Sequence, residues 1–204
     1  MKNLNPKPAN IKIEYEAKFI NIDKEKLRKK LKEIGAKLVK PEFLQKRAVF
    51  HLPKGHQAKG GWLRVRDEED KITMSLKVVD GDKIENQKEI CLNVNNFKNA
   101  ELFLTTIGCK KKAYQENKRE IWILGGVEIT IDEWPFLEPF VEIEGKSEKV
   151  VKETAKKLGF NYKEALFCSV DVLYNKKYGI PLNIINNQTP NITFNSPNPF
   201  INKK

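Results

Sequence analysis

Paired carboxylates and a small set of arginines carry the chemistry this sequence can do. In Ile11-Lys12-Ile13-Glu14-Tyr15-Glu16-Ala17-Lys18-Phe19, charged and apolar residues alternate without a break. Successive side chains of a strand point to opposite faces, so Glu14, Glu16 and Lys18 share one face at about 7 Å spacing. Glu142 and Glu144 repeat the arrangement against Val141 and Ile143. Carboxylate oxygens in this pattern suit hard divalent cations such as Mg²⁺ or Mn²⁺. The basic complement is selective. Of 38 basic residues only five are arginine: Arg28, Arg47, Arg64, Arg66 and Arg119. The planar guanidinium grips phosphate oxygens bidentately, which lysine cannot do. Four of the five fall in stretches that read as strands, while Arg28 reads as surface on the charged side of a helix.

The elements that must position these groups are short and one-sided. Strands are expected over Ile11–Phe19, Glu42–Leu52, Trp62–Glu68, Lys71–Val79, Ile84–Leu92, Lys110–Leu124, Val127–Glu133 and Phe140–Gly145. Asp23 caps a helix over Lys24–Ala36, and Asn95 caps one over Phe97–Ile107 with Phe97, Ala100, Phe103, Leu104 and Ile107 as its apolar stripe. Further helices are expected over Glu148–Leu158 and from Tyr162 or Ala165 to Tyr178. Pro53–Gly61 and Asp80-Gly81-Asp82 are turns. Strands and helices do not alternate, which argues for an α+β antiparallel sheet. Residues 1–10 read as a flexible N-terminus, 11–179 as the folded domain, and 180–204, rich in Asn and Pro, as a disordered tail or a docked arm.

Every strand carries one charged face. Glu14, Glu16, Glu89, Glu128, Asp132, Glu142 and Glu144 form its acidic side, and Lys18, Arg47, Arg64, Arg66, Lys77 and Arg119 its basic side. Such a face is ordinarily solvated, with helices covering the apolar side. The clustering of the scarce arginines favours a site. So do the acid pairs on the first and last strands, which converge only if those strands meet. A sheet closed into a barrel would turn this face inward. Burying an unpaired ion costs several kcal/mol, so water, metal ions and a charged ligand would have to compensate.

At this point the residues resemble a known family. Glu14-x-Glu16-x-Lys18 is similar to the ExExK signature of the CYTH superfamily, the triphosphate tunnel metalloenzymes. Gln45-x-Arg47, Leu63-Arg64-Val65-Arg66, Ser75-Leu76-Lys77, Lys118-Arg119, Asp132-Glu133 and Phe140-Val141-Glu142-Ile143-Glu144 follow in the family's order, and Ser169 to Leu173 resembles its late Tyr-x-Glu-Leu-Leu segment. The resemblance covers about Ile11 to Tyr178. It implies an eight-stranded antiparallel β-barrel, a tunnel flanked by helices, that binds a triphosphate with Mg²⁺ or Mn²⁺. Carried over by position, Glu14, Glu16, Glu142 and Glu144, with Glu128 or Asp132, are metal ligands. Lys18, Arg47, Arg64, Arg66, Lys77 and Arg119 hold phosphate, and Glu14, Glu16 and Lys18 are the catalytic candidates. The family often has Lys-x-Arg where Asn117 precedes Arg119 here, which removes one phosphate contact.

The implied activity is metal-dependent triphosphate hydrolysis, with Lys18 orienting the nucleophile or neutralising a phosphate. The alternative is a class IV-type adenylyl cyclase that makes 3′,5′-cyclic AMP. A non-catalytic nucleotide or polyphosphate binder is the third reading. The net charge of +11 invites nucleic acid, but the carboxylates repel a polyanion, and nucleic acid is disfavoured as a partner. No apolar run approaches the roughly 20 residues that cross a bilayer, so no membrane partner is expected. Cys91, Cys109 and Cys168 have no paired spacing and read as reduced, cytoplasmic residues. A monomer or homodimer acting on a small triphosphate is the expectation. His51 and His56 flank a loop and read as surface.

Overall fold

The computed structural model describes residues 11–56 and 58–201; the expected flexible segment 1–10 lies outside the described residues. In chain order it has β1 (Lys12–Ile13), β2 (Tyr15–Phe19), α1 (Lys24–Glu33), β3 (Lys37–Phe50), β4 (Gly61–Asp67), β5 (Ile72–Val79) and β6 (Gln87–Val94). Then come α2 (Phe97–Thr106), β7 (Lys111–Leu124), β8 (Val127–Glu133), β9 (Phe140–Gly145), α3 (Glu148–Leu158), α4 (Val170–Tyr178), α5 (Leu182–Asn187) and β10 (Asn191–Ile192).

The sheet runs β1-β6-β5-β4-β3-β7-β8-β9-β2. Its two ends, β1 and β2, are halves of one extended run interrupted at Glu14, so the sheet closes on itself. The continuous strand expected over Ile11–Phe19 is therefore divided. β1 pairs with β6, Glu14 N donates to Gln87 O, and β2 pairs with β9. The break lets one run leave one neighbour and join another. Counted as one, it makes an eight-stranded antiparallel ring, with β10 added in parallel on β7. Closure removes the sheet's free edges.

The helices pack against separate parts of the ring. α1 and α3 lie over β2, β8 and β9, where Leu27, Leu31, Val151, Ala155 and Leu158 bury against Ala17, Ile129, Ile131 and Ile143. Asp23 caps α1 by accepting from Lys26 N, and Ser147 caps α3 by accepting from Val150 N. α2 covers Ala48, Phe50 and Val65 through Ala100 and Leu104. Residues 180–201 pack onto the domain: Ile180, Ile185, Ile192 and Phe200 bury with Trp134, Phe140, Leu173 and Tyr174.

Closure inverts the usual burial of a one-sided strand. On β5 the polar residues Thr73, Ser75 and Lys77 are buried inside the ring, while on neighbouring β6 the outward Ile90 and Leu92 are 44% and 53% exposed.

Several local expectations change. The cap of α2 is Asn96, not Asn95, and Phe103 and Ile107 face solvent because α2 meets the sheet along Phe97, Ala100 and Leu104. Ile84–Asn86 forms a 3-10 turn in place of the start of a strand, because Asn86 Oδ1 accepts from Lys83 N. That local side-chain bond competes with the ladder. Tyr162–Glu164 is likewise a separate 3-10 turn before α4. β3 begins at Lys37, with register shifts on both sides of Lys40 that accommodate Pro41. Arg28 is not free surface: its Nε and Nη2 lie 2.9 and 2.7 Å from Glu120 Oε2, on a buried carboxylate of β7.

Candidate active site

The ring encloses a cavity of about 790 Å³, within the range of small-molecule sites. Glu14, Glu16, Lys18, Arg47, Arg64, Arg66, Lys77, Arg119, Glu128, Glu142 and Glu144 all line it. Asp132 does not. It is fully buried, and its oxygens accept from Asn117 Nδ2 at 2.6 Å, Arg119 Nε and Nη2 at 2.9 and 2.8 Å, and Thr130 Oγ1 at 2.9 Å.

The charges separate by arc. Glu128, Glu142, Glu144, Glu16, Glu14 and Glu89 come from β8, β9, the β2–β1 run and β6, which are consecutive around the ring. Lys77, Arg64, Arg66, Arg47 and Arg119 come from β5, β4, β3 and β7, also consecutive. Strand register makes each arc dense. Glu144 is directly opposite Glu128 on one side and Glu16 on the other, so three carboxylates form a row across three strands. Arg47 lies directly opposite Arg66. Like charges in such positions destabilise a sheet, and inside a closed ring they imply counterions of opposite sign.

Lysines and arginines satisfy part of the acidic arc. Lys18 donates to Glu16 and sits 3.0 Å from Glu142 Oε1. Lys77 Nζ is 2.7 Å from Glu14 Oε2, an ion pair without the alignment of a hydrogen bond. Arg64 Nη2 donates to both oxygens of Glu89, at 2.8 and 3.0 Å, and Arg119 Nη2 reaches Glu142 at 2.6 Å. Burial raises Glu142, but Lys18 and Arg119 beside it hold its carboxyl well below the usual range. Burial and Glu142 push Glu16 up, yet Lys18 and Lys77 leave it below the ordinary value. Glu144 makes no ion pair among the described residues, and Lys77 offsets its rise only in part. Burial, then Glu16 and Glu128, push it up to about 7. Burial and a hydrogen bond with Glu89 raise Glu14 as well.

Arg47 is the unbalanced group of the basic arc. It is 6% exposed, and its guanidinium donates to the amide oxygens of Gln45 and Asn117, not to a carboxylate. Its Nε has no partner, and Trp134 stacks against it at 4.5 Å. Burial, followed by Arg64, Arg66 and Arg119, pulls its pKa well below the ordinary value.

These groups fit a divalent cation and a polyanion together. Among the described residues no three acidic, His or Cys side chains converge as a ready-made metal centre, because lysines sit between the carboxylates. The donors are nonetheless all oxygen, Glu128 and Glu144 of the row Glu128-Glu144-Glu16 make no ion pair among the described residues, and Glu14 Oε2 is buried without a hydrogen bond. Hard cations take such ligands.

Sequence reasoning left out several neighbours. Glu68, two residues after Arg66, is buried and lies 3.3 Å from Arg66 Nε; the alternation through Arg64 and Arg66 pointed to it. Asn117 bridges Arg47 and Asp132, and its spacing from Arg119 placed it inward. Trp134 had no local signal, and Asp171 falls in the Ser169–Leu173 segment without having been singled out as a wall residue. His51 is exposed yet borders the cavity mouth.

A closed antiparallel ring with a charge-lined interior and flanking helices defines a β-tunnel protein. The chain belongs to the CYTH domain family, whose model matches residues 12–172. A Methanocaldococcus jannaschii protein named "putative adenylate cyclase" is 27% identical over 173 residues, covering 81% of this chain and 96% of its own. A solved structure from Vibrio parahaemolyticus, described in the same words, superposes with a TM-score of 0.68 at 14% identity, over 78% of this chain and 96% of its own. A Hippeastrum structure, described as a "putative adenylyl cyclase" with a dominant triphosphatase activity, gives 0.52 at 16% identity, over 83% and 98%. At these identities the two structures show the shared fold. No helix among the described residues is long and apolar enough to cross a membrane.

Proposed function

We propose that this protein is a metal-dependent triphosphatase acting inside the tunnel. The observation that carries the reading is Arg47: a buried, carboxylate-free guanidinium facing Arg66, across a closed cavity from a row of carboxylates. An anion with several charges satisfies the arginines, and a cation satisfies the row. Glu14, Glu16, Glu128, Glu142 and Glu144 hold Mg²⁺ or Mn²⁺, while Asp132 serves by fixing Arg119. The bound metal supplies charge neutralisation and Lewis acidity at the phosphate oxygens.

The chain's own groups do the positioning that phosphoryl transfer chiefly requires. Arg47, Arg64 and Arg66 hold the phosphate chain from one side. Arg119, fixed by Asp132, and Lys77 hold it from the flanks. Lys18, held between Glu16 and Glu142, neutralises the phosphate that is transferred.

A second reading keeps the site and cyclises ATP, as the name of the Methanocaldococcus jannaschii protein suggests. The Hippeastrum description favours hydrolysis. Incubation with tripolyphosphate, ATP, GTP and thiamine triphosphate, each with Mg²⁺ and Mn²⁺, separates the two. Release of orthophosphate is expected; 3′,5′-cyclic AMP with pyrophosphate as the main ATP product would assign the cyclase. Glu142→Ala should abolish turnover in a folded protein, and wild-type rates in that variant would overturn both readings. Ligand retention in EDTA without turnover would indicate a plain binder.

A further inference from the structure

Eight lysines and arginines line the cavity, and six have a carboxylate within ion-pairing distance. The two without one, among the described residues, are Arg47 and Lys112. Arg47 belongs to the site already described. Lys112 does not, and nothing in the Lys110-Lys111-Lys112 run separates it from a solvated surface cluster.

A β-bulge brings Lys112 inward. Val49 pairs with Ala113, and Phe50 pairs with Lys111, so Lys112 is the extra residue on β7. Gln115 lines the cavity, and strict alternation from it would point Lys112 outward. The bulge re-aims it, which is a common use of bulges beside active sites. Lys112 is half-buried, and burial lowers its pKa although Asp171 works the other way. Asp171 is the acid that faces it from α4. That carboxylate is already engaged, accepting from Ser169 Oγ and, at 2.5 Å, from Asn186 Nδ2. His51, on the other side, adds no negative charge: burial and then Lys112 and Lys110 push its imidazole down.

On the same strand, Asn117 is neutral and spends its amide on Arg47 and Asp132. We propose that Lys112 is a further phosphate-binding residue of the tunnel, placed by the β7 bulge beside α4 and α5, which supplies the cation that β7 lacks at Asn117. Lys112 and Arg47 then hold one anion between them. Arg47 pairs with Gln115, which is three residues, about 10 Å, along β7 from Lys112. A chain of phosphates spans such a separation and a single phosphate does not. This inference rests on the triphosphate reading.

The test is titration calorimetry with Mg²⁺ and the nitrogen-bridged analogue of tripolyphosphate, which resists hydrolysis. Wild type is expected to bind. Lys112→Gln should weaken binding about tenfold or more, the worth of one charged hydrogen bond. Lys112→Arg should stay within about threefold of wild type, and Lys118→Gln, on the outer face of the same strand, should change nothing. Equal binding by wild type and Lys112→Gln overturns the role of Lys112 and leaves the triphosphate reading intact. Equal weakening by the Gln and Arg variants makes the role steric, which also overturns it. No binding by wild type overturns the triphosphate reading itself.

Discussion

At the scale of single residues, the tunnel trades stability for ligand charge, and Arg47 shows the trade most clearly. A buried cation hemmed by Arg64 and Arg66 and held only by amides and Trp134 is costly in the empty protein. Arg47→Met should therefore raise the melting temperature, by the equivalent of about 1 kcal/mol, while tripolyphosphate turnover falls at least about tenfold. A variant that melts lower and turns over normally would refute this account. Cys168 tests the enclosure independently. Burial pushes its thiol up to about 11, although Lys18 opposes the shift. A raised thiol pKa means little thiolate at pH 8, with reactivity climbing as pH approaches 11. Exposed Cys91 should be alkylated first at pH 8, and Cys168 should catch up only in strong alkali, as peptide mass spectrometry would show. Equal rates at pH 8 would mean that Cys168 is no better shielded than Cys91, which lines the same cavity but is exposed. The residues that lie on a strict alternation, such as Glu14, Glu16, Arg64, Arg66, Glu142 and Glu144, were legible in the sequence. Lys112 was not, because its direction depends on a bulge whose cause is the pairing of β7 with β3.

At the scale of elements, boundaries followed the residues with strong local signals. β8, β9 and α3 begin and end where alternation, Gly126 and the Ser147 cap place them. Apart from the 3-10 turn at Ile84–Asn86, which the local Asn86 side chain sets, the main failures share one reason: tertiary contact overrides pattern. The apolar stripe of α2 is wider than the strip of sheet beneath it, and the break at Glu14 serves two partner strands that lie far away in sequence. The segment after Gly179 has no period of its own, yet Phe200 is 2% exposed and stacks on Tyr174 at 4.5 Å and on Tyr178 at 5.3 Å. It secures α4 and α5, which supply Asp171, Leu182 and Asn186 to the cavity wall. Phe200→Ala should cost about 3 kcal/mol in urea unfolding, as core phenylalanine truncations do. Less than about 1 kcal/mol would mean that the packing of this segment contributes little to the domain.

At the scale of the whole molecule, the arrangement of charge matters more than its total. The net charge of +11 describes a lysine-rich chain, whereas the interior is divided into an acidic arc and a basic arc by the order of strands around the ring. That division could not be read along the chain, since Glu16 and Glu144 are neighbours only once β2 pairs with β9. It leaves like charges side by side within each arc, Glu144 between Glu128 and Glu16 and Arg47 opposite Arg66. A ligand that binds the native state alone stabilises it in proportion to the logarithm of its concentration over Kd, about 2.7 kcal/mol at a hundredfold excess. Mg²⁺ or Mn²⁺ should accordingly raise the melting temperature, and EDTA should return it to baseline. The acidic row makes a sharper prediction. Glu144→Gln removes the middle carboxylate between Glu128 and Glu16, so the metal-free variant should melt above wild type while its gain on adding Mn²⁺ shrinks. Differential scanning calorimetry of both proteins, with and without Mn²⁺, measures the two changes together. A variant that melts lower without metal and keeps the full gain would show that the row is not where the cation sits.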